Sequence, residues 1–334
     1  MRSFNGIDCL KYIMACLIVG VHTCLYEHYD SSMGILFNNI VNACVPTFFI
    51  ISSFFFFNKL QKMKLLRDKL KALFLFERRT ILLYVFWILP QLPYIIYINK
   101  YPLLYTPLYL CKDFFCGQTF IASWFLGAMI TGMPLVFLIN ILYNTDGRSI
   151  MLKLISATLA IFVCLVSCYI CFNDKLPDSW RSFYMWYDTN ICSPCLSWPR
   201  ALLWLLIGCV LTNSKIQSLL YSKDNSFYSI IIFVLFWGMS LYLHASVMRI
   251  PMSIMLFVIA CQITIPDHGI YKRLRFYSII VYCTHGTILA IIGHFYHSNV
   301  LLWTITTIIV CSVIAECILR LSKVQRYSIL KYAY

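Results

Sequence analysis

Charge is scarce in this chain: Asp, Glu, Lys and Arg together make up 12% of its 334 residues. No stretch is long or polar enough to form a separate soluble domain, and no repeat of 20–50 residues is visible, so a single domain over residues 1–334 is expected. Acidic residues are the rarer sign, 13 against 27 basic, which leaves a formal net charge of +14. A nucleic-acid partner would use such a balance, but here the basic residues fall between apolar runs rather than on a polar surface, so none is expected. H-E-x-x-H, a phosphate-cradling glycine loop and a Ser-His-Asp order are also absent. These absences exclude zinc proteases, nucleotide-driven pumps and hydrolases of familiar design. No small-residue cleavage site follows the first apolar run, which is therefore read as a retained helix rather than a signal peptide.

What the chain does contain is apolar and aromatic surface: 61% hydrophobic, 17% aromatic, with a mean hydropathy of +0.77. These values predict an all-α polytopic membrane protein. Runs of about 20 mostly apolar residues give ten candidate spans at 8–26, 35–57, 80–98, 120–143, 150–172, 198–213, 227–244, 249–265, 276–295 and 299–320. With the N-terminus inside, only Lys100, Lys112, Lys175, Arg181, Arg200 and Arg249 of the 27 basic residues lie on the outer side. The excess of Lys and Arg on the other side predicts that both termini are cytoplasmic. Most of the sixteen cysteines, such as Cys16, Cys44, Cys209, Cys261 and Cys311, sit in apolar runs as small hydrophobes. Cys192 and Cys195 have redox or metal spacing, yet no second pair or nearby histidine completes a zinc site, so no metal is expected.

Residues 59–76 alternate lysines with Leu60, Met63, Leu66, Leu70 and Leu73, the periodicity of an amphipathic helix lying on the inner membrane surface. It serves either as a headgroup anchor or as an electropositive approach for an anionic substrate. The first span carries Asp8, Lys11 and His22. Lys11 and His22 project within about 20° of each other and about 16 Å apart along the axis, with Asp8 about 60° from Lys11 and in i,i+3 reach. Taken singly, Lys11 reads as a residue snorkelling to the interface and His22 as a partly solvated imidazole. Three ionisable groups on one stripe instead suggest a face turned to a polar cavity, where an imidazole can exchange protons with a hydroxyl or relay them in a transporter.

Asp8, Lys11 and His22 resemble the "D-x-L-R … H" opening of the bacterial acyltransferase-3 family. The stretches "VPTFFIISSFFFF" (45–57), "SWFLGAM" (123–129), "RALLWLLIGCVL" (200–211) and "YSIIVYCTHGTIL" (277–289) resemble its further motifs in family order. Two positions depart from the pattern. Ser53 stands where the family has glycine, and Arg78 and Arg79 are adjacent where it has R-x-x-R, with Arg67, Lys69 and Lys71 upstream as substitutes.

The resemblance implies a ten-helix O-acyltransferase of the bacterial inner membrane. Its substrates would be acyl-CoA, most often acetyl-CoA, and a hydroxyl of an envelope glycan or lipid-linked saccharide. His22 would act as general base or as transient acyl carrier, with Asp8 and Lys11 beside it. Arg78, Arg79 and Arg67 would hold coenzyme A phosphates; as topology determinants they would need no ligand. His285, Tyr282 and Trp124 are candidates for the acceptor site, although a structural histidine and an interfacial tryptophan fit equally. The loop at 173–197, with Asp174, Asp178, Trp180, Trp186, Tyr187 and Asp188, has the composition of a sugar-binding surface or of an ordinary solvated loop. Glu316 has no role in this scheme. A non-enzymatic alternative keeps the same residues: a transporter or glycan flippase in which Lys11, His22 and His285 bind substrate or relay protons.

Overall fold

The computed structural model describes residues 4–25, 32–144, 150–171, 178–222, 226–243, 245–296 and 299–334. Arg2, Arg148 and Lys223, three of the basic residues expected on the cytoplasmic side, lie outside the described residues, as do Lys175 and the candidate sugar contact Asp174. Among those described, regular structure is helical with no strand. The helices are α1 (Asn5–His22), α2 (Ser32–Asn42), α3 (Cys44–Leu60), α4 (Leu66–Asn99), α5 (Thr106–Cys116), α6 (Trp124–Tyr143) and α7 (Ile150–Cys171). They continue with α8 (Asp178–Asn190), α9 (Trp198–Val210), α10 (Ser214–Leu220), α11 (Ser226–Met239), α12 (Ala245–Gln262), α13 (Gly269–Tyr296) and α14 (Val300–Leu321).

Six stretches are long and apolar enough to cross a membrane alone: Asn5–His22, Gly34–Leu60, Leu66–Asn99, Trp124–Tyr143, Gly269–Phe295 and Val300–Leu321. A seventh is added if α9 and α10, bent by 87°, form one broken span. The other three expected spans fall on shorter apolar helices, Ile150–Val166, Ser226–Met239 and Val247–Gln262. Their shortness has a plain consequence: a 14-residue helix such as α11 rises about 21 Å, against about 30 Å of hydrocarbon.

The amphipathic stretch differs from expectation. Its chain breaks after Lys59–Leu60, and residues 66–76 continue into the third span as the 34-residue α4 rather than lying apart as a surface helix. Polarity changes along this segment, but no residue between Leu66 and Phe76 interrupts backbone hydrogen bonding, so the helix propagates through the change.

The described residues cluster into two compact units. The first comprises 1–48, 89–91 and 214–334, and the second 49–88 and 92–213. In the first, α1, α13 and α14 pack together. Asp8, Tyr12 and His22 meet Arg275, Tyr277 and His285 in the same order, so α1 and α13 run in one direction. Tyr12 and Thr23 meet Ser312 and Thr304 in reverse order, so α14 runs against them. The start of α1 is seated by Asn5, whose side-chain amide donates to the carbonyls of Ile265 and Pro266. Gly6 lies so close to α12 that a Cβ would stand 2.5 Å from the Ala260 carbonyl oxygen.

In the second unit, α9 is buried nearly all round through Ala201, Leu202, Leu203, Trp204, Leu205 and Leu206. Ser53 is at home here: its hydroxyl donates to the Leu205 carbonyl at 2.5 Å. The space for that hydroxyl comes from Gly208, where a Cβ would stand 2.6 Å from the Ile50 carbonyl oxygen and 2.7 Å from Ser53 Cβ. The glycine that permits close approach of α3 and α9 is thus on the facing helix. Gly208→Ala is expected to force the two helices apart at a cost of about 1–3 kcal/mol, read as a lower thermal midpoint in detergent. An unchanged midpoint would mean that the helices are not packed this tightly.

Candidate active site

The ionisable stripe on α1 is built against α13. Asp8, with a side chain only 4% exposed, accepts two hydrogen bonds from Arg275, from Nε at 2.7 Å and from the terminal nitrogen at 2.6 Å. This is the bidentate fork that suits guanidinium to carboxylate. Lys11 lies half-buried on the next turn. Tyr12 follows, its hydroxyl 2.8 Å from Ser312 Oγ and its ring edge-on to Tyr277.

At the far end of the stripe, the His22 and His285 rings lie 5.1 Å apart between centroids, 36° from coplanar. His285 is fully buried and His22 keeps an open side. His285 Nδ1 lies 3.1 Å from the Val281 carbonyl oxygen. A carbonyl can only accept, so in the neutral ring the proton belongs on Nδ1 and Nε2 is left with a lone pair. That Nε2 is buried and has no hydrogen-bond partner among the described residues. A buried acceptor left unpaired costs roughly 1–3 kcal/mol, a cost that a donor group arriving at His22 would relieve.

Two polar groups missed in the sequence, Gln91 and Thr23, lie beside this pair together with the candidate Tyr282. Gln91, 6% exposed, accepts a hydrogen bond from the Thr287 hydroxyl at 2.5 Å and donates to the Cys283 carbonyl. Thr23, directly after His22, shares a 2.7 Å hydroxyl contact with Thr304. Tyr282 is buried with its ring between Phe48 and His285, at centroid distances of 6.1 and 5.9 Å. A polar residue in an apolar run carries no label for its partner, which is why Gln91 and Thr23 drew no attention in the sequence.

Glu316 also finds its partners in the fold. Its carboxylate accepts from Arg273, from the Tyr277 hydroxyl and from Arg320, the last at 2.6 Å. The basic residues 273 and 275, counted from the sequence as orientation signals, therefore also anchor α13 to α14 and α1.

The second unit holds Arg67, Arg78, Arg79 and Trp124. All three arginines are exposed on α4. Because α4 is continuous, Arg67 and Arg78 project within about 20° of each other, with Lys71 about 20° from Arg78, whereas Arg79 is about 100° away. One face thus carries a basic stripe without spaced arginines in one turn. Glu77, their neighbour, has both carboxylate oxygens buried without a hydrogen-bond partner among the described residues.

Trp124 begins α6, half-buried against Phe49 at 5.4 Å between ring centroids. Its motif clasps α5. The Ser123 hydroxyl donates to the Gly117 carbonyl at 2.8 Å, and Gly117, at φ +73°, sits where a Cβ would strike Trp124 Cα. Of the candidates in the loop at 173–197, Asp178, Trp180, Trp186 and Asp188 are exposed on α8 and Tyr187 is half-buried. No cluster of three metal-binding side chains occurs among the described residues.

A family model described as an acyltransferase domain matches residues 4–320. An amino-acid racemase of Enterococcus faecalis is 29% identical over 137 residues, 41% of this chain and 18% of that protein. The chain therefore spans less than a fifth of the length of this curated relative. No solved structure matches it.

Proposed function

Because this chain belongs to the acyltransferase-domain family and is a multi-pass membrane protein, we propose that it transfers an acetyl group from acetyl-CoA to a hydroxyl of an envelope glycan, with His22 as general base. The observation that carries this reading is the His22–His285 pair, an open imidazole backed by a buried one whose free nitrogen has no partner among the described residues. As the acceptor oxygen adds to the thioester carbonyl, the His22 imidazole takes its proton, and it returns that proton to the departing thiol sulfur. Atoms and charge balance without a metal ion or an acyl-enzyme. His285 acts on His22, its free Nε2 available to accept a hydrogen bond from the imidazolium as the proton arrives and so to hold its orientation.

The basic stripe of Arg67, Lys71 and Arg78 supplies charge-assisted donors for the phosphates of coenzyme A, with Arg79 beside it. Arg275 and Asp8 hold α1 and α13 in register. The parallel course of α1 and α13, with α14 returning, supports both termini lying on one side. The excess of basic residues there makes that side the cytoplasm of a bacterial inner membrane.

Membrane vesicles containing the protein, supplied with labelled acetyl-CoA, are expected to label envelope glycan. Surface glycans from cells that express it are expected to gain the mass of one acetyl group. A glycan unchanged in mass would remove both the donor and the acceptor from this reading.

One observation favours a transporter instead. The Glu77 carboxylate, buried without a hydrogen-bond partner among the described residues, is the kind of group that a proton relay uses. Labelled saccharide crossing the bilayer unmodified, with uptake lost in Glu77→Gln, would support that reading.

A further inference from the structure

Cys192 and Cys195 have redox spacing in the sequence, yet the fold gives their sulfurs different neighbours. Cys195 Sγ lies 3.0 Å from the Tyr184 hydroxyl. Cys192 is buried, and its thiol lies beside that of Cys116, the last residue of α5, which reaches the carbonyl of the adjoining residue, Ile191. Both sulfurs are held in place by further contacts. Cys116 Sγ lies 3.8 Å from the Ile191 carbonyl oxygen, 75 positions along the chain. Cys192 Sγ lies 3.9 Å from the Tyr187 hydroxyl. The left-handed turn at Gly117, packed against Trp124, fixes where α5 ends and hence where Cys116 sits.

We propose that Cys116 and Cys192 form a disulfide that staples α5 to the segment after α8 on the outer face of the membrane. The placement rests on the orientation proposed above, which puts both segments in a compartment where disulfides persist. The pairing itself rests on the thiol contact. The oxidant is a disulfide of that compartment, either a small molecule or a protein. Half-buried Cys116 is the reachable sulfur, and its thiolate attacks the donor disulfide and releases one donor thiol. The Cys192 thiolate then attacks the Cys116 sulfur of the mixed disulfide and releases the second. The two electrons and the two thiol protons leave with the released thiols. Cys192 suits the second step by position, because its sulfur already lies beside the Cys116 sulfur that it attacks.

The full-length protein in intact cells is acid-trapped, alkylated in denaturant and digested without reductant. A peptide containing Cys116 is expected to be linked to one containing Cys192, lighter by two hydrogens than the free pair. The link should disappear on reduction and in Cys116→Ser and Cys192→Ser, and persist in Cys195→Ser. Alkylation of both Cys116 and Cys192, or a bond between Cys192 and Cys195, overturns the proposal. A membrane-impermeant maleimide on intact cells separates the two premises, since Cys111 is exposed on α5. Labelling of Cys111 from outside traces a missing bond to the thiol contact. Labelling only after permeabilisation traces it to the orientation, and overturns the outer-face staple together with that orientation.

Discussion

Replacing His22 by alanine is expected to lower acetyl transfer by about 10²–10⁴-fold, the usual contribution of a positioned general base, while leaving the protein folded in the membrane. Folding should survive because His22 has an open side and its ring holds no hydrogen bond among the described residues, unlike the fully buried His285 behind it. The fall should appear in kcat, with the KM for the donor little changed. His285→Gln should also lower kcat, by roughly tenfold or more, since an orienting partner is lost while the base remains. The two residues act as a unit, so the double variant should be little worse than His22→Ala alone. The acid limb of the wild-type pH profile of kcat/KM should be missing from the residual His22→Ala activity. Transfer undiminished in His22→Ala removes the base, and losses that simply add remove the pairing with His285.

Features carried by nearest neighbours were legible in the sequence. Apolar runs and the eleven-step offset from Lys11 to His22 are local, and helix geometry converts them directly into position. Contacts between distant segments were not legible. Asp8 and Arg275 are 267 positions apart, and nothing in the sequence around either residue names the other. Glu316 lacked a role for the same reason, since Arg273 and Tyr277 reach it from another helix.

The redox spacing of Cys192 and Cys195 drew attention to the nearer pair, while tertiary packing brought Cys116 to Cys192. The change from lysine-rich to apolar residues near Glu77 looked like the boundary of a surface helix. Backbone helix formation does not require constant polarity, and α4 runs through it. The departure at Ser53 became intelligible only with Gly208 opposite, because close packing depends on the sum of two facing residues.

Breaking the Asp8–Arg275 pair should destabilise the first unit, and should do so asymmetrically. Removing one partner of a buried ion pair typically costs about 3–5 kcal/mol, because the other charge is left uncompensated. The two sides are not equally buried: the Asp8 side chain is 4% exposed and that of Arg275 is 45% exposed. Asp8→Ala leaves a guanidinium able to turn toward water, so its cost should fall below that range. Arg275→Ala strands a carboxylate that cannot reach water without moving α1, and its cost should lie within it. Arg275→Lys keeps the charge but loses the two-point fork, and should recover only part of the difference. Thermal extraction in detergent is expected to order the midpoints as wild type, Arg275→Lys, Asp8→Ala, Arg275→Ala, from highest to lowest. Because the same pair fixes α1 on α13, transfer should fall in each variant in step with the folded fraction, and activity per folded molecule should change far less than in His22→Ala. An Arg275→Ala protein as stable as wild type would show that the pair does not hold these helices. A large loss of activity per folded molecule in Asp8→Ala would give Asp8 a part in the chemistry itself.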